Sequence, residues 1–328
     1  MTAHALTKPA AIAGGLDAPG TATAEELEAL RSFAANDVAP STSAVYERAL
    51  KRFRAWHAAH APEHEPLPAS PAMVALYISG RATEGRAFST IAVEMAALAR
   101  WHEERGHPSP TDDGRVRRTL LGIGRRIGRE KHGKGAILLP QLRALAAAVP
   151  MGAYGVRLRA MVLLCFYAAL RRSEVCALDA TDVTRHEFGL LVHLRRSKSD
   201  QSGRGKTKAV PRLPDDALCP ERALAAWLVV RGEGPGPLFA PLSGTSKGRA
   251  PHGATFGVMV KALCRRAGID PRGLGAHSFR IGWSTEAARR GARVERIQAQ
   301  LGHATAETSL RYVKAHEVWV DHPGARLF

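Results

Sequence analysis

The stretch LLVHLRRSKSDQSGRGKTKAVPRL, residues 190–213, contains the clearest β pattern in the chain. Its apolar segments predict two strands, Leu190–Arg196 and Lys208–Leu213, and the polar, glycine-containing SKSDQSGRGKT between them predicts a hairpin loop. On both sides of this hairpin the apolar residues recur at helical spacing. The fold class that follows is α+β, mainly helical with one small antiparallel sheet.

Upstream of the hairpin, four amphipathic helices predict a small helical domain with basic outer faces over residues 41–128. In STSAVYERALKRFRAWH the apolar side chains of Val45, Ala49 and Phe53 share one face, and basic side chains occupy the others. Ser70 and Pro71 are typical of a helix start. The basic residues that we expect to form a phosphate-binding surface are Arg48, Arg52, Arg118, Arg125, Arg126, Arg129, Lys131 and Lys134.

The sequence divides into four regions. Residues 1–40 form an acidic tail whose first part, rich in Ala, Gly, Pro and Thr, is typical of disorder. After the helical domain, REKHGKGAILLP at residues 129–140 predicts a linker. Residues 141–328 form the larger domain, in which Gly291 and Gly302 separate three short C-terminal helices.

The charge indicates a polyanionic partner. The 328 residues include 47 Lys and Arg against 30 Asp and Glu, a formal net charge of +17. Residues 1–40 carry −3, so the rest of the chain carries +20. The longest apolar run, Met161–Leu170, has about half the length of a membrane-spanning helix, which favours nucleic acid over a membrane.

Other features of the sequence narrow the class of protein. The N-terminus has no signal-peptide core, and the four cysteines form no CxxC pair, so we expect a protein of a reducing cytoplasm. The segment GIGRRIG, residues 122–128, has the spacing GxGxxxG and lies in a helical pattern without a preceding strand, which argues against a dinucleotide loop. There is no GxxxxGK[ST] loop and no obvious carboxylate set for a metal. We therefore expect no cofactor and no metal.

One set of residues matches the needs of a metal-free attack on a DNA phosphodiester. Such a reaction requires a nucleophile, cations around the phosphate oxygens and an acid for the leaving oxygen. Arginine suits the phosphate because its planar fork stays charged and binds two oxygens. The segments that supply these groups are ALRRSEV with Arg171 and Glu174, RRSKS with Lys198, GAHSFRIGWS with His277 and Arg280, and LGHATAETSLRYV with His303 and Tyr312.

These residues resemble the tyrosine recombinase (phage integrase) family. The family pattern is an arginine in a G-L-R-x-S-E-like segment, a hairpin lysine, H-x-x-R, L-G-H, and a tyrosine about nine residues further on. All five elements occur here in order, and the resemblance covers roughly residues 41–316. The segment TIAVEMAALARWHEERGHPSPTD and the RSKS hairpin most resemble the Cre-like branch.

The resemblance implies a role for each matching residue. Arg171, His277, Arg280 and His303 would surround the scissile phosphate. Lys198 would be the general acid, and Tyr312 the nucleophile that forms a 3′-phosphotyrosine. Glu174 would support Arg171, and His277 is the expected base for the tyrosine.

Some positions leave alternatives open. Lys206 and Lys208 lie on the same hairpin and compete with Lys198, and Arg172 is a weaker rival of Arg171. Ala169 stands where the family has glycine, which on a helix would be a mild change. The same chemistry would serve a type IB topoisomerase, and a non-catalytic DNA-binding relative is the alternative from another class.

The resemblance also implies a bacterial, phage or plasmid gene, a cytoplasmic location at the nucleoid, and an assembly. Two domains would form a clamp around double-stranded DNA, and four protomers would assemble on two inverted-repeat sites and pass through a Holliday junction. The tail after Tyr312 contains Val318, Trp319, Val320, Leu327 and Phe328. We expect these apolar residues to dock on their own protomer or on a neighbour.

Overall fold

The computed structural model describes residues 23, 25, 26, 28, 29, 38–129, 133–195 and 205–302. The chain divides into two compact units, Met1–His132 and Gly133–Phe328. Most of the predicted acidic tail, the hairpin loop after Arg195 and the C-terminal segment after Gly302 lie outside the described residues.

The first unit is helical. Its α-helices within residues 38–129 are α1 (Pro40–His60), α2 (Pro71–Thr83), α3 (Phe88–Glu103) and α4 (Gly114–Ile127). The predicted start of α2 is confirmed, because the Ser70 hydroxyl accepts a hydrogen bond from the Met73 amide at 3.2 Å and Pro71 occupies the first turn. A core that includes Phe53, Tyr77 and Trp101 holds the helices together.

A buried carboxylate links three helices of this unit. Glu94 on α3 accepts hydrogen bonds from the Arg81 guanidinium at 2.9 and 3.0 Å, from the Tyr77 hydroxyl at 3.2 Å and from Arg52 at 3.1 Å. Burial and the neighbouring Glu94 charge raise the pKa of Tyr77 to about 12. Because a buried charge without partners is costly, these contacts are what allow Glu94 to lie in the core.

The second unit is mostly helical with one sheet. Its helices in the described residues are α5 (Leu139–Ala147), α6 (Ala153–Tyr167), α7 (Arg172–Ala177), α8 (Pro220–Arg231), α9 (Gly253–Arg266), α10 (Ala276–Arg289) and α11 (Val294–Leu301). The strands are β1 (Val183–His186), β2 (Gly189–Leu194) and β3 (Lys206–Pro211). They form an antiparallel sheet in the order β1-β2-β3, with Leu190 opposite Val210. The predicted α+β fold class is confirmed.

Residues 133–140, which the sequence assigns to the linker, belong to the second unit. The Ile137 amide donates to the Ser278 carbonyl at 3.0 Å, and the Leu139 amide donates to Glu286 Oε1 at 3.0 Å. Both acceptors are on α10. A Cβ on Gly282 would lie 1.8 Å from the Ile137 carbonyl oxygen, so only glycine permits this approach. The predicted linker is therefore too long, because its apolar second half packs against α10.

Helix α6 is the centre of the second unit. Residues Leu158 and Ala160–Phe166 of this helix are all buried, and they pack with side chains of α8, α10 and the sheet. No helix of the described ranges is long and apolar enough to cross a membrane. The packing of α10 and the sheet around the end of α6 positions the candidate site.

Candidate active site

Arg171 and Glu174 form an ion pair at the start of α7. The Arg171 guanidinium donates to Glu174 Oε1 at 2.6 Å, and the Arg171 amide donates to Oε2 at 2.8 Å. The carboxylate thus caps the helix and fixes the arginine side chain at the same time. Arg172 is exposed and lies against Gly253, away from this pair.

The turn between α6 and α7 differs from what the sequence predicted. Helix α6 ends at Tyr167, and Ala169 has a φ of +48°. The expectation that Ala169 lies on a helix is therefore wrong. In this left-handed conformation a side chain is strained and glycine is not, so alanine at this position has a cost. The apolar run MVLLCFYAAL contains no sequence signal for the turn. Residues before the turn and residues after it are buried, so the run stays apolar across the end of the helix.

Arg280 reaches from α10 to this turn. Its side chain is buried, and its Nη1 donates to the Ala169 carbonyl at 2.7 Å. Its Nη2 donates to the carbonyl of Leu301, the last residue of α11. These contacts join α10, α11 and the turn that precedes Arg171. His277 lies one helical turn before Arg280 and is exposed.

Lys208 lies beneath the same turn. Its Nζ donates to the Ala168 carbonyl at 3.0 Å and to the Ala169 carbonyl at 3.1 Å, and only 4% of the residue is exposed. The sequence suggested Lys208 only as a rival of Lys198 and did not indicate its burial. The strand alternation contained the signal, because Lys208 shares a face of β3 with the buried Val210.

The charges of this cluster shift one another's pKa values. Burial lowers the pKa of Lys208 to about 7; Glu174 opposes this shift, and Arg280 and Arg171 add to it. Burial would raise the pKa of Glu174, but the Arg171 amide, the Lys208 charge and the Arg171 side chain outweigh it, and the pKa is lowered. The pKa of His277 is also lowered, first by desolvation of its ring and then by Arg280 and Arg171. This lowering favours the neutral form of the His277 ring.

The structure brings part of the predicted site together and does not describe the rest. Arg171, Glu174 and Arg280 meet around the Ala168–Ala169 turn, and the charges of Arg171 and Arg280 act on His277. The predicted residues Lys198, His303 and Tyr312 lie outside the described residues, as does the apolar tail. No group of three or more His, Cys, Asp or Glu side chains that could hold a metal occurs within the described ranges.

The residues expected to contact DNA have different surroundings. Arg118, Arg125 and Arg126 on α4 are exposed, as is Lys134, and Lys131 lies outside the described residues. The exposed Arg48 donates to the Ala44 carbonyl at 3.0 Å. Arg52 is paired with Glu94, and the guanidinium carbon of Arg129 lies 5.2 Å from the Phe88 ring centroid. Arg52 and Arg129 thus stabilise the helical unit as well as adding to its surface charge.

Comparison with known proteins identifies the class of site. Residues 138–317 match the model of the phage integrase family. The integrase/recombinase XerD homologue of Selenomonas ruminantium is 30% identical over 80% of this chain and 78% of its own length. Tyrosine recombinase XerD of Xanthomonas axonopodis pv. citri is 28% identical over 70% of this chain and 80% of its own.

Solved structures share the fold at lower sequence identity. The Tn1549 transposon integrase in complex with transposon right-end DNA has a TM-score of 0.63 and 14% identity, covering 89% of this chain and 97% of its own. The XerH site-specific recombinase bound to its difH substrate has a TM-score of 0.61 and 18% identity, covering 92% of this chain and 85% of its own. Assignment to the Cre-like branch stays a prediction. The family match and the identity to the XerD homologue show that this chain belongs to the phage integrase family of tyrosine site-specific recombinases.

Proposed function

We propose that this recombinase cuts and rejoins double-stranded DNA through a covalent bond to Tyr312. The tyrosine oxygen attacks the scissile phosphorus, and a 3′-phosphotyrosine forms as the bond to the 5′-oxygen breaks. Lys198 gives its proton to the departing 5′-oxygen. A 5′-hydroxyl from the partner strand then attacks the phosphotyrosine, releases Tyr312 and leaves a Holliday junction. The phosphotyrosine conserves the bond energy, so the reaction needs no ATP.

The observation that supports this proposal is the convergence of Arg171 and Arg280 at the Ala168–Ala169 turn. Glu174 fixes one guanidinium, and the Ala169 and Leu301 carbonyls fix the other. Positioned charges of this kind stabilise the negative charge that develops on a phosphate. The lowered pKa of His277 favours its neutral form, which can accept the proton of the tyrosine hydroxyl. His303 would complete the phosphate site from the segment after α11.

The proposed substrate is a pair of DNA sites, each an inverted repeat around a short spacer, held by four protomers in the bacterial cytoplasm. The exposed arginines of α4, with Arg48, Arg52, Arg129, Lys131 and Lys134, would bind phosphates of the DNA. The first forty residues are acidic and would not bind DNA.

The test is covalent trapping on a suicide substrate, a nicked duplex that carries the inverted repeats found next to the gene. We expect wild-type protein to form an adduct in EDTA, and Tyr312→Phe to form none while its DNA affinity is unchanged. Tyr154→Phe is the matched control, because Tyr154 is a partly exposed tyrosine at the start of α6. An adduct with the Tyr312→Phe variant would refute the assignment.

The general acid has its own test. A 5′-bridging phosphorothiolate leaves without protonation, so it should restore cleavage to Lys198→Ala. Rescue of Lys206→Ala and not of Lys198→Ala would move the role to Lys206.

A further inference from the structure

The turn at residues 167–169 receives hydrogen bonds from three separate elements. Lys208 of β3 donates to the carbonyls of Ala168 and Ala169, and Arg280 of α10 donates to that of Ala169. Gln300 of α11 donates to the Tyr167 carbonyl at 3.3 Å and to the Ala209 carbonyl at 3.2 Å. The sheet, α10 and α11 therefore meet at the last residue of α6 and the two residues that follow it.

This turn determines where both arginines of the site lie. Arg171, which caps the start of α7, lies two residues after Ala169 in the chain. The Arg280 guanidinium is held by its hydrogen bond to the Ala169 carbonyl. Lys208 and Arg280 donate to the same oxygen, so a shift of that carbonyl would move the anchor of Arg280 and the start of α7 together. A displacement of about 1 Å at a catalytic group can reduce a rate by about 100-fold.

On this basis, and given the proposed function, we infer that Lys208 is a positioning residue: it holds the Ala168–Ala169 turn and thereby fixes the positions of the two phosphate-binding arginines relative to each other. Lys208 acts through these carbonyls and does not touch the DNA.

Two properties of Lys208 separate this role from that of a general acid. Only 4% of the residue is exposed, and its Nζ donates hydrogen bonds to two main-chain oxygens. Burial also lowers its pKa to about 7, and the neutral amine still has two N–H groups for the two carbonyls. The anchoring therefore depends on its hydrogen bonds more than on its charge.

The experiment measures single-turnover cleavage of the suicide substrate by full-length protein, with DNA affinity measured in parallel. We expect Lys208→Met, which keeps the length of the side chain and loses its donors, to cleave about 100-fold more slowly with an unchanged Kd for DNA. Lys208→Arg, which retains donors, should recover part of the rate. Lys261→Met on α9 removes an exposed lysine and should behave as wild type.

The phosphorothiolate substrate distinguishes positioning from acid catalysis. The defect of Lys208→Met should persist on it, because misplaced arginines slow the reaction whatever the leaving group is. If the sulfur substrate rescues Lys208→Met, Lys208 is the acid and the inference is wrong. It is also wrong if Lys208→Met cleaves within about 3-fold of wild type, or if its cleavage falls only in proportion to its DNA affinity.

A measurement of protein stability shows whether Lys208→Met is folded, and a second variant is available if it is not. If Lys208→Met does not fold, as judged by its thermal transition, Lys208→Gln replaces it, because the amide retains donors in a neutral side chain. Rate recovery in Lys208→Gln relative to Lys208→Ala supports positioning, and equal rates contradict it. Absence of an adduct with the wild type itself would instead mean that the proposed function has failed.

Discussion

Ala169 has a φ of +48° in a fully buried turn, and its carbonyl accepts from both Lys208 and Arg280. Left-handed backbone costs an L-residue about 1–2 kcal/mol, a cost that glycine does not have. The strain is tolerated because three elements hold the turn. Strain of this kind often lies at functional sites, and here it lies between two arginines of the site.

Replacement of Ala169 by glycine measures this strain. We expect Ala169→Gly to leave the free energy of unfolding equal to or above that of wild type. Ala160→Gly, in the middle of α6 and equally buried, should lower it by about 1 kcal/mol, since glycine destabilises a helix interior. Urea denaturation provides both values. Equal losses in the two variants would mean that Ala169 is not strained.

At the scale of elements, a buried histidine joins α3 to the segment that leads into α2. His102 on α3 accepts a hydrogen bond from the Ala69 amide at its Nε2, at 2.8 Å, and its Nδ1 lies 2.7 Å from the Leu98 carbonyl. This pair of partners requires the neutral tautomer with its proton on Nδ1. Burial lowers the pKa of His102, which favours the neutral form in the folded state.

The stability of the protein should therefore depend on pH through His102. Above about pH 6.5 the histidine is neutral in both the folded and the unfolded state. As the pH falls below this value the unfolded state binds a proton first, so stability decreases until the pH passes the lowered pKa of the folded state. We expect the stability advantage of wild type over His102→Gln to shrink between pH 7 and pH 5. An advantage that is constant with pH would contradict this account.

The sheet shows which elements a pattern can predict. The hairpin was predicted because β2 and β3 have apolar residues and a polar loop between them. The sequence pattern did not give the bounds of strand β1, because three of its four residues are exposed and its apolar and polar residues do not alternate. The short helix α7 is stabilised by the Glu174 cap and has too few residues to show a period.

At the scale of the whole molecule, the charge of +20 beyond residue 40 should make DNA binding strongly dependent on salt. Arg118 and Arg125 lie seven residues apart on α4, so they are on one face, and both are exposed. Each phosphate contact contributes about 0.9 to the slope of log K against log salt concentration.

The double variant Arg118→Ala with Arg125→Ala should therefore weaken DNA binding and reduce this slope by about 1.8. Arg272→Ala is the control, because Arg272 is 90% exposed and already paired with Asp270. Binding isotherms at several salt concentrations measure the slope. An unchanged slope in the double variant would show that these α4 arginines do not contact DNA phosphates.

The sequence by itself determined the class of fold, the polyanionic partner and the order of the motifs that match the family. These follow from periodicity, from composition and from short motifs, each of which is a local property of the chain. Only the tertiary structure decided that residues 133–140 pack on α10, that Ala169 lies in a left-handed turn, and that Lys208 is buried beneath it. Each of these depends on contacts between residues distant in sequence, such as Lys208 with Ala168 or Arg280 with Ala169, and local patterns do not contain them.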